Sequence, residues 1–278
     1  MRSYQIFVDA GADLPETLRN QYHISQVCHC QYAREQACIH PPYRCSLEQE
    51  GKHPFSPEGL EAMFRAAFAR YAKEDIDILY LACANSLFPF FAAAQVVARE
   101  VMKAYPSVRI EVYDTMLFGA GQGMLAVEAA TLRNGGDDMD AVLHRLNDMR
   151  QRAFLYIALD KPKAAGPFGK RKHRFLTLGR AVGLCPVFGW GRHCTIAILA
   201  RGRGFENAVQ MAIKLAKRDF LCETPLFFST IHEWEGFEAI KETLGENVIF
   251  SCASPLAQKL FGKDGVMLAG VMPPTENG

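Results

Sequence analysis

Two stretches of this chain crowd together residues with usable chemistry. The first is Cys83-Ala84-Asn85-Ser86, which follows the apolar run from Ile76 and precedes an Ala-rich segment reaching Gln95. A thiol, an amide and a hydroxyl at a strand-to-helix junction can hold a ligand, because the helix behind such a loop aims unpaired N–H groups and partial positive charge at the crevice. The same groups could do nucleophilic chemistry if a base were in reach. Asp114 closes a later apolar strand and would come to an adjacent strand end, yet no His occupies either loop. His232, in Ser229-Thr230-Ile231-His232-Glu233-Trp234, would have to approach across the fold, and a structural role is the simpler expectation for it. The plainest use of Asn85 or Ser86 is to cap the helix that follows.

The second stretch is Cys28 to Cys45, which gathers Cys28, His29, Cys30, Cys38, His40 and Cys45. Zinc favours such ligands, but neither a C-x-x-C nor an H-x-x-x-H knuckle occurs. In an extended strand Cys28 and Cys30 face one side and His29 the other, so the three could not ligate one ion without a bend. The expectation is no metal, with a Cys/His metal-binding protein kept as an alternative. The odd count of nine cysteines, scattered through apolar segments, fits reduced thiols used as small core residues.

Composition narrows the classes further. The chain has 278 residues, 49% hydrophobic and 22% charged, with a formal net charge of +1. That balance lacks the basic face expected of a nucleic-acid or anionic-membrane binder. The run Lys170-Arg171-Lys172-His173-Arg174 stands alone without interleaved aromatics and reads as a solvated loop. No apolar run reaches the roughly 18 residues of a membrane span, and the N-terminus enters a strand without a signal-peptide core, so a cytoplasmic protein is expected. Gly119-Ala120-Gly121-Gln122-Gly123 lacks both the order of a dinucleotide fingerprint and the ending of a phosphate loop. Close helix packing is its expected use, and no cofactor is expected.

The elements that must position these groups alternate in type. Tyr4 to Val8 reads as a buried strand ending in Asp9, with Asp13 as N-cap of a helix near Glu16. Ser56-Pro57-Glu58 opens a helix whose stripe is Leu60, Met63, Phe64, Ala67, Phe68 and Tyr71. Ile78 to Cys83 has no polar alternation, as in a strand covered on both faces of a parallel sheet. Val108 to Tyr113 is the next strand, ending in Asp114-Thr115, and the glycine cluster leads into a helix through Leu132 closed by Gly135-Gly136. After a helix ending near Arg152, strands Ala153 to Leu159, Thr195 to Ala200 and Pro225 to Ile231, with a helix from Gly204 to Asp219, describe a second unit. The fold class is therefore α/β with two domains: residues 1–150 as a parallel three-layer α/β/α unit and residues 151–278 as a smaller unit with a mixed sheet. A ligand cleft is expected between them.

Laid side by side, several motifs resemble one family. Asp9 followed by Ala12-Asp13-Leu14-Pro15, the loop Asn85-Ser86-Leu87 before an Ala-rich helix, and Val112-Tyr113-Asp114-Thr115 before Gly121-Gln122-Gly123 are similar to the DegV family of fatty-acid-binding proteins in order and spacing. Leu159-Asp160-Lys161, Leu178 to Phe188 with Cys185-Pro186, and Arg201 before the helix ending at Lys217 resemble its second domain. The resemblance runs from Tyr4 to about Val271. It implies a non-catalytic protein that buries a long-chain fatty acid between two domains, holds the carboxylate with hydroxyls at strand ends, and in several members presents it to a separate kinase subunit. A long tail contributes about 0.8 kcal/mol per buried methylene, so an apolar tunnel can supply most of the affinity.

Departures from the family fall on its head-group donors. Its Ser-Ser-x-Leu-Ser-Gly-Thr reads here Ala84-Asn85-Ser86-Leu87-Phe88-Pro89-Phe90, and its Thr-Ser pair falls at Lys52-His53. Its Gly-Gly-Arg falls at Ala165-Gly166-Pro167, and Ser251-Cys252-Ala253-Ser254-Pro255 stands in place of His-x-Gly-Pro-Gly. The expected ligand-binding set is Asn85, Ser86, Phe88, Phe90, Lys52, His53 and Thr115, with Lys52 or His53 supplying a cation. The alternative is that Phe88 and Phe90 fill the head-group space, leaving an interaction or regulatory protein.

Overall fold

The structure, a computed structural model, describes residues 3–27, 57–160, 183–191, 194–219, 224–232, 236–254, 256–258 and 264–274. The Cys28 to Cys45 segment, Lys52, His53, Ser56, the Ala165-Gly166-Pro167 position and the basic run at 170–174 lie outside the described residues.

The first sheet has the order β2-β1-β3-β4 and is parallel throughout, with β1 Tyr4–Val8, β2 Ile24–Gln26, β3 Asp77–Ala82 and β4 Ile110–Asp114. Every residue of β3 is buried, which is what a central strand covered on both faces requires and why its sequence does not alternate. Helix α1 spans Glu16–Gln21 between β1 and β2, and α2 Pro57–Ala72 precedes β3. Helix α3, Phe90–Ala104, packs on α2 and β4. From α2, Phe64 and Phe68 bring their rings to 5.0 and 6.1 Å from Tyr80 of β3.

The second sheet is mixed, in the order β7-β6-β5-β10-β8-β9. Its strands are β5 Ala153–Leu159, β6 Leu184–Gly191, β7 Thr195–Arg203, β8 Leu226–Thr230, β9 Val248–Cys252 and β10 Gly265–Val271. All neighbours are antiparallel except β8 and β9. Side chains alternate between two cores: Leu155, Ile157 and Leu159 of β5 with Met267, Ala269 and Val271 of β10 face the first sheet's core. Phe154, Tyr156, Ala158, Val266 and Leu268 face the opposite core, under helix α6 Phe205–Asp219 and helix α7 Phe237–Leu244. Strand period 2 thus serves two apolar layers at once, and the strands read as continuous apolar runs.

Between the sheets lies helix α4, Ala120–Gly135, which touches β1 and β3 on one side and β5, β8 and β10 on the other. It contributes Ala120, Gly121, Gln122, Gly123, Ala126, Ala129 and Ala130 to the buried layer. Small residues let two sheets approach one helix closely. Helix α5, Met139–Arg152, packs on α4 and leads directly into β5. Gly136 ends α4 in the left-handed conformation at φ 100, as the Gly135-Gly136 pair predicts.

Two capping expectations fail. Helix α1 has Pro15 at its N-cap with no side-chain cap, because the Asp13 carboxylate is directed elsewhere. Helix α3 does not follow Ser86 directly: the Leu87 and Phe88 N–H groups turn back onto the Ala84 carbonyl, and the helix starts at Phe90 behind an uncapped Pro89. Proline fixes φ near helical values and so starts the helix here without a side-chain cap.

Candidate functional site

The carboxyl ends of β1, β3, β4, β8 and β9 bring their loops to the region where the two sheets meet. At the end of β1, Asp9 is wholly buried. Its Oδ2 accepts from the Tyr80 hydroxyl at 2.8 Å and the Cys83 N–H at 2.7 Å, while Oδ1 accepts from the Gly11 N–H at 2.7 Å. Burial pushes the Asp9 carboxyl up, opposed by the Cys83, Tyr80, Gly11 and Gln122 hydrogen bonds. Gln122 of α4 donates Nε2 to the Leu81 carbonyl at 3.0 Å, and its Oε1 is buried with no hydrogen-bond partner among the described residues. These groups lock β1, β3 and α4 together.

Asp13 reaches in the other direction. It too is wholly buried, and its carboxylate accepts from the Ser229 hydroxyl of β8 and, at 2.7 Å, from the Ser254 N–H beyond β9. The Ser251 hydroxyl donates to the Asp13 carbonyl, and Ser254 Oγ lies 3.4 Å from the Gly11 carbonyl. Beside this joint, Gly119 has φ 57, and a Cβ there would stand 2.7 Å from Met267 Sδ and 3.0 Å from Asp13 Oδ2. A Cβ on Gly123 would meet the Phe227 ring at 3.1 Å. The glycine cluster therefore serves close approach of the second sheet, in keeping with the close helix packing expected of it.

A second contact between the sheets surrounds Met116, which holds φ 55 in the turn after β4. Its carbonyl accepts from Trp190 Nε1 at 2.9 Å and lies 3.5 Å from Cys194 Sγ. Phe118 packs edge-on against Trp190 with centroids 4.8 Å apart. Burial raises the Cys194 thiol, and the nearby Ser86 hydroxyl opposes the rise. Asn85, Ser86 and Met116 are exposed, while Phe118 and Trp190 are buried in the core and Ile196 and Ile198 pack partly buried against it. Exposed polar groups thus border an apolar core at this contact.

The sequence candidates divide accordingly. Asn85 and Ser86 stand at this rim. Phe88 and Phe90 lie beneath it, stacked with centroids 5.2 Å apart and planes 10° apart, Phe90 fully buried and Phe88 nearly so. Thr115 is buried, and its hydroxyl donates to the Ala82 carbonyl at 2.7 Å, tying β4 to β3. Cys83 is completely buried, and burial with the nearby Asp9 carboxylate raises its thiol well above the ordinary range, the opposite of an activated nucleophile. His232 does not join it: its Nδ1 stands 3.5 Å from Asp264 Oδ1 within the second sheet's own loops. Among the described residues no group of three or more His, Cys, Asp or Glu is placed to hold a metal ion. Nor is any described helix long and apolar enough to cross a membrane.

The residues missed from sequence are those that join the sheets. Asp13 looked like a helix cap, and Ser229 and Ser254 like ordinary polar positions, since their partners lie 216 and 241 residues away in the chain. The signal available was the recurrence of acids and hydroxyls at strand ends.

Comparison with known proteins agrees with this architecture. The DegV family model, described as "Uncharacterised protein, DegV family", matches residues 3–248. A DegV domain-containing protein of Clostridium perfringens is 23% identical over 226 residues, 78% of each chain. A stearic acid-binding protein from Eubacterium ventriosum superimposes with a TM-score of 0.73 at 16% identity, covering 97% of this chain and 98% of that one. The Fatty Acid Kinase (Fak) B3 protein of Streptococcus pneumoniae, loaded with linoleic acid, gives 0.68 at 15% identity, covering 98% and 100%.

Proposed function

The chain belongs to the DegV family, and from that premise we propose that it is a non-catalytic carrier that buries a long-chain fatty acid between its two sheets. The carrying observation is the second contact region, where the exposed Asn85 and Ser86 stand over an interior of Phe118, Trp190, Ile196 and Ile198. The acyl chain enters this apolar interior and the carboxylate stays at the rim. Solved relatives of the same fold carry stearic and linoleic acid, which supports that class of cargo. Each buried methylene contributes about 0.8 kcal/mol, so the tail supplies most of the binding and a few donors orient the head.

In this reading Asn85 and Ser86 donate to the carboxylate, Lys52 and His53 bring positive charge from a segment outside the described residues, and Phe88 and Phe90 form the wall beneath. Thr115 contributes by holding the two strand ends together, since its hydroxyl is bonded to the Ala82 carbonyl. Residues 1–150 and 151–278 act as the two domains that close on the cargo. The carrier works in the cytoplasm and presents the carboxylate to a separate kinase subunit, a partner suggested by the kinase B3 relative.

The test is titration of delipidated protein with oleate. Asn85→Ala with Ser86→Ala should weaken binding about tenfold or more, as expected for lost hydrogen bonds to a charged group, and Lys52→Ala with His53→Ala should weaken it further. Protein that does not bind oleate would refute the carrier reading.

The stacked pair Phe88 and Phe90 favours a second reading. Rings stand where the family's pattern has Ser-Gly-Thr, so the head-group space is filled and the protein acts in interaction or regulation.

A further inference from the structure

The joint at Asp13 is built unlike the rest of the contact between the sheets. Around Met116 the sheets meet through an indole, a thiol and aromatic faces. At Asp13 they meet through one buried carboxylate that draws Ser229 from β8 and Ser254 from beyond β9, while its own carbonyl takes the Ser251 hydroxyl. A Cβ on Gly119, before α4, would meet both this carboxylate and Met267 of β10, and Cys83, just beyond β3, is the described titratable group that feels its charge. No described cation is among the influences on its ionisation, which are burial first and then the bonds from Ser229 and Ser254. Asp9 differs: its partners come from β1, β3 and α4 and do not cross the joint.

We propose that Asp13 is a proton-sensitive fastener between the two sheets, holding the joint closed when it is protonated and favouring an opened joint, with water at the carboxylate, when it is ionised. The proton exchanges with solvent. Ser229 can serve both states because a hydroxyl either donates to the carboxylate or accepts from the neutral acid.

The sign follows from burial. Desolvation pushes Asp13 up to about 6, so the closed state binds a proton more tightly than an opened state in which the carboxyl regains its ordinary value near 4. Closure is therefore most favoured below pH 4 and loses its advantage as pH rises to about 6, levelling off near 7. Near neutral pH the joint holds an ion with no counter-ion among the described residues, the condition under which opening gains most from hydration. Control of cargo entry by this opening rests on the carrier reading; the fastener itself does not.

The experiment is hydrogen–deuterium exchange of the full lipid-free chain from pH 5 to 7.5, corrected for intrinsic rates and read at the ends of β8 and β9. The opening constant there should rise roughly tenfold between pH 5 and 7 and then level off. Asp13→Asn should abolish the rise. Ser229→Ala, which deprives the ionised acid of a donor, should move the step to higher pH and keeps the test decisive if the Asn variant fails to fold. A flat profile in the unaltered protein, an unchanged step in Asp13→Asn or an unmoved midpoint in Ser229→Ala would overturn the proposal. Oleate added afterwards separates the claims: a pH step without oleate binding removes the carrier and leaves the fastener.

Discussion

Phe88 and Phe90 lie ring on ring, 5.2 Å between centroids and 10° between planes, beneath the loop that carries Asn85 and Ser86. The family's pattern has a serine at the position of Phe88, so the two readings of the site differ over this ring. Phe88→Ser should lower stability by about 2–4 kcal/mol, as a buried ring is removed, read from the urea midpoint. If the rings fill the head-group space, the same change should raise oleate affinity about tenfold by returning a donor to the carboxylate. An affinity that falls instead assigns Phe88 to the wall of the acyl site.

Gly119 bears on the contact between the sheets. Its φ of 57 with ψ of −129 lies where side chains are strained, and a Cβ would press on Met267 Sδ at 2.7 Å. Gly119→Ala should therefore destabilise the protein by about 2 kcal/mol or more, combining backbone strain with overpacking. Gly136→Ala, where nothing lies within 4 Å, isolates the backbone part, and thermal melts of the two variants give the difference.

Cysteine reactivity distinguishes a carrier from a thiol enzyme. Cys83 and Cys185 are buried, Cys194 is partly covered and Cys252 is exposed. At neutral pH iodoacetamide should label Cys252 first among these four, and Cys83 only after unfolding, since burial holds its thiol protonated. Peptide mapping of the labelled native protein reads this directly. Rapid selective modification of Cys83 would revive the nucleophile.

Much of the fold was legible because local rules and global fold agree. Tyr4–Val8 and Ala153–Leu159 are strands over the ranges that their apolar runs suggest, and the α2 stripe buries Leu60, Phe64 and Phe68. Every residue of β3 is buried, so its lack of alternation pointed to a central parallel strand. Where the reading failed, a distant partner outweighed a local preference. Asp13 has the position of a cap, yet Ser229 and Ser254 draw its carboxylate across to the second sheet. Asn85 and Ser86 sit before a helix, yet Pro89 starts it. The contact around Met116 was likewise hidden, because Trp190, paired locally with Ile196 in the β6–β7 hairpin, meets Phe118 and the Met116 carbonyl only once the two sheets come together.

Mass spectrometry of the purified protein, first under native and then under denaturing conditions, tests the central claim most directly. The carrier account predicts a native mass exceeding the denatured mass by one fatty acid of about 16 to 18 carbons, a chain whose methylenes suffice for retention. Equal masses from a host rich in such lipids, together with no uptake of added oleate, would contradict it.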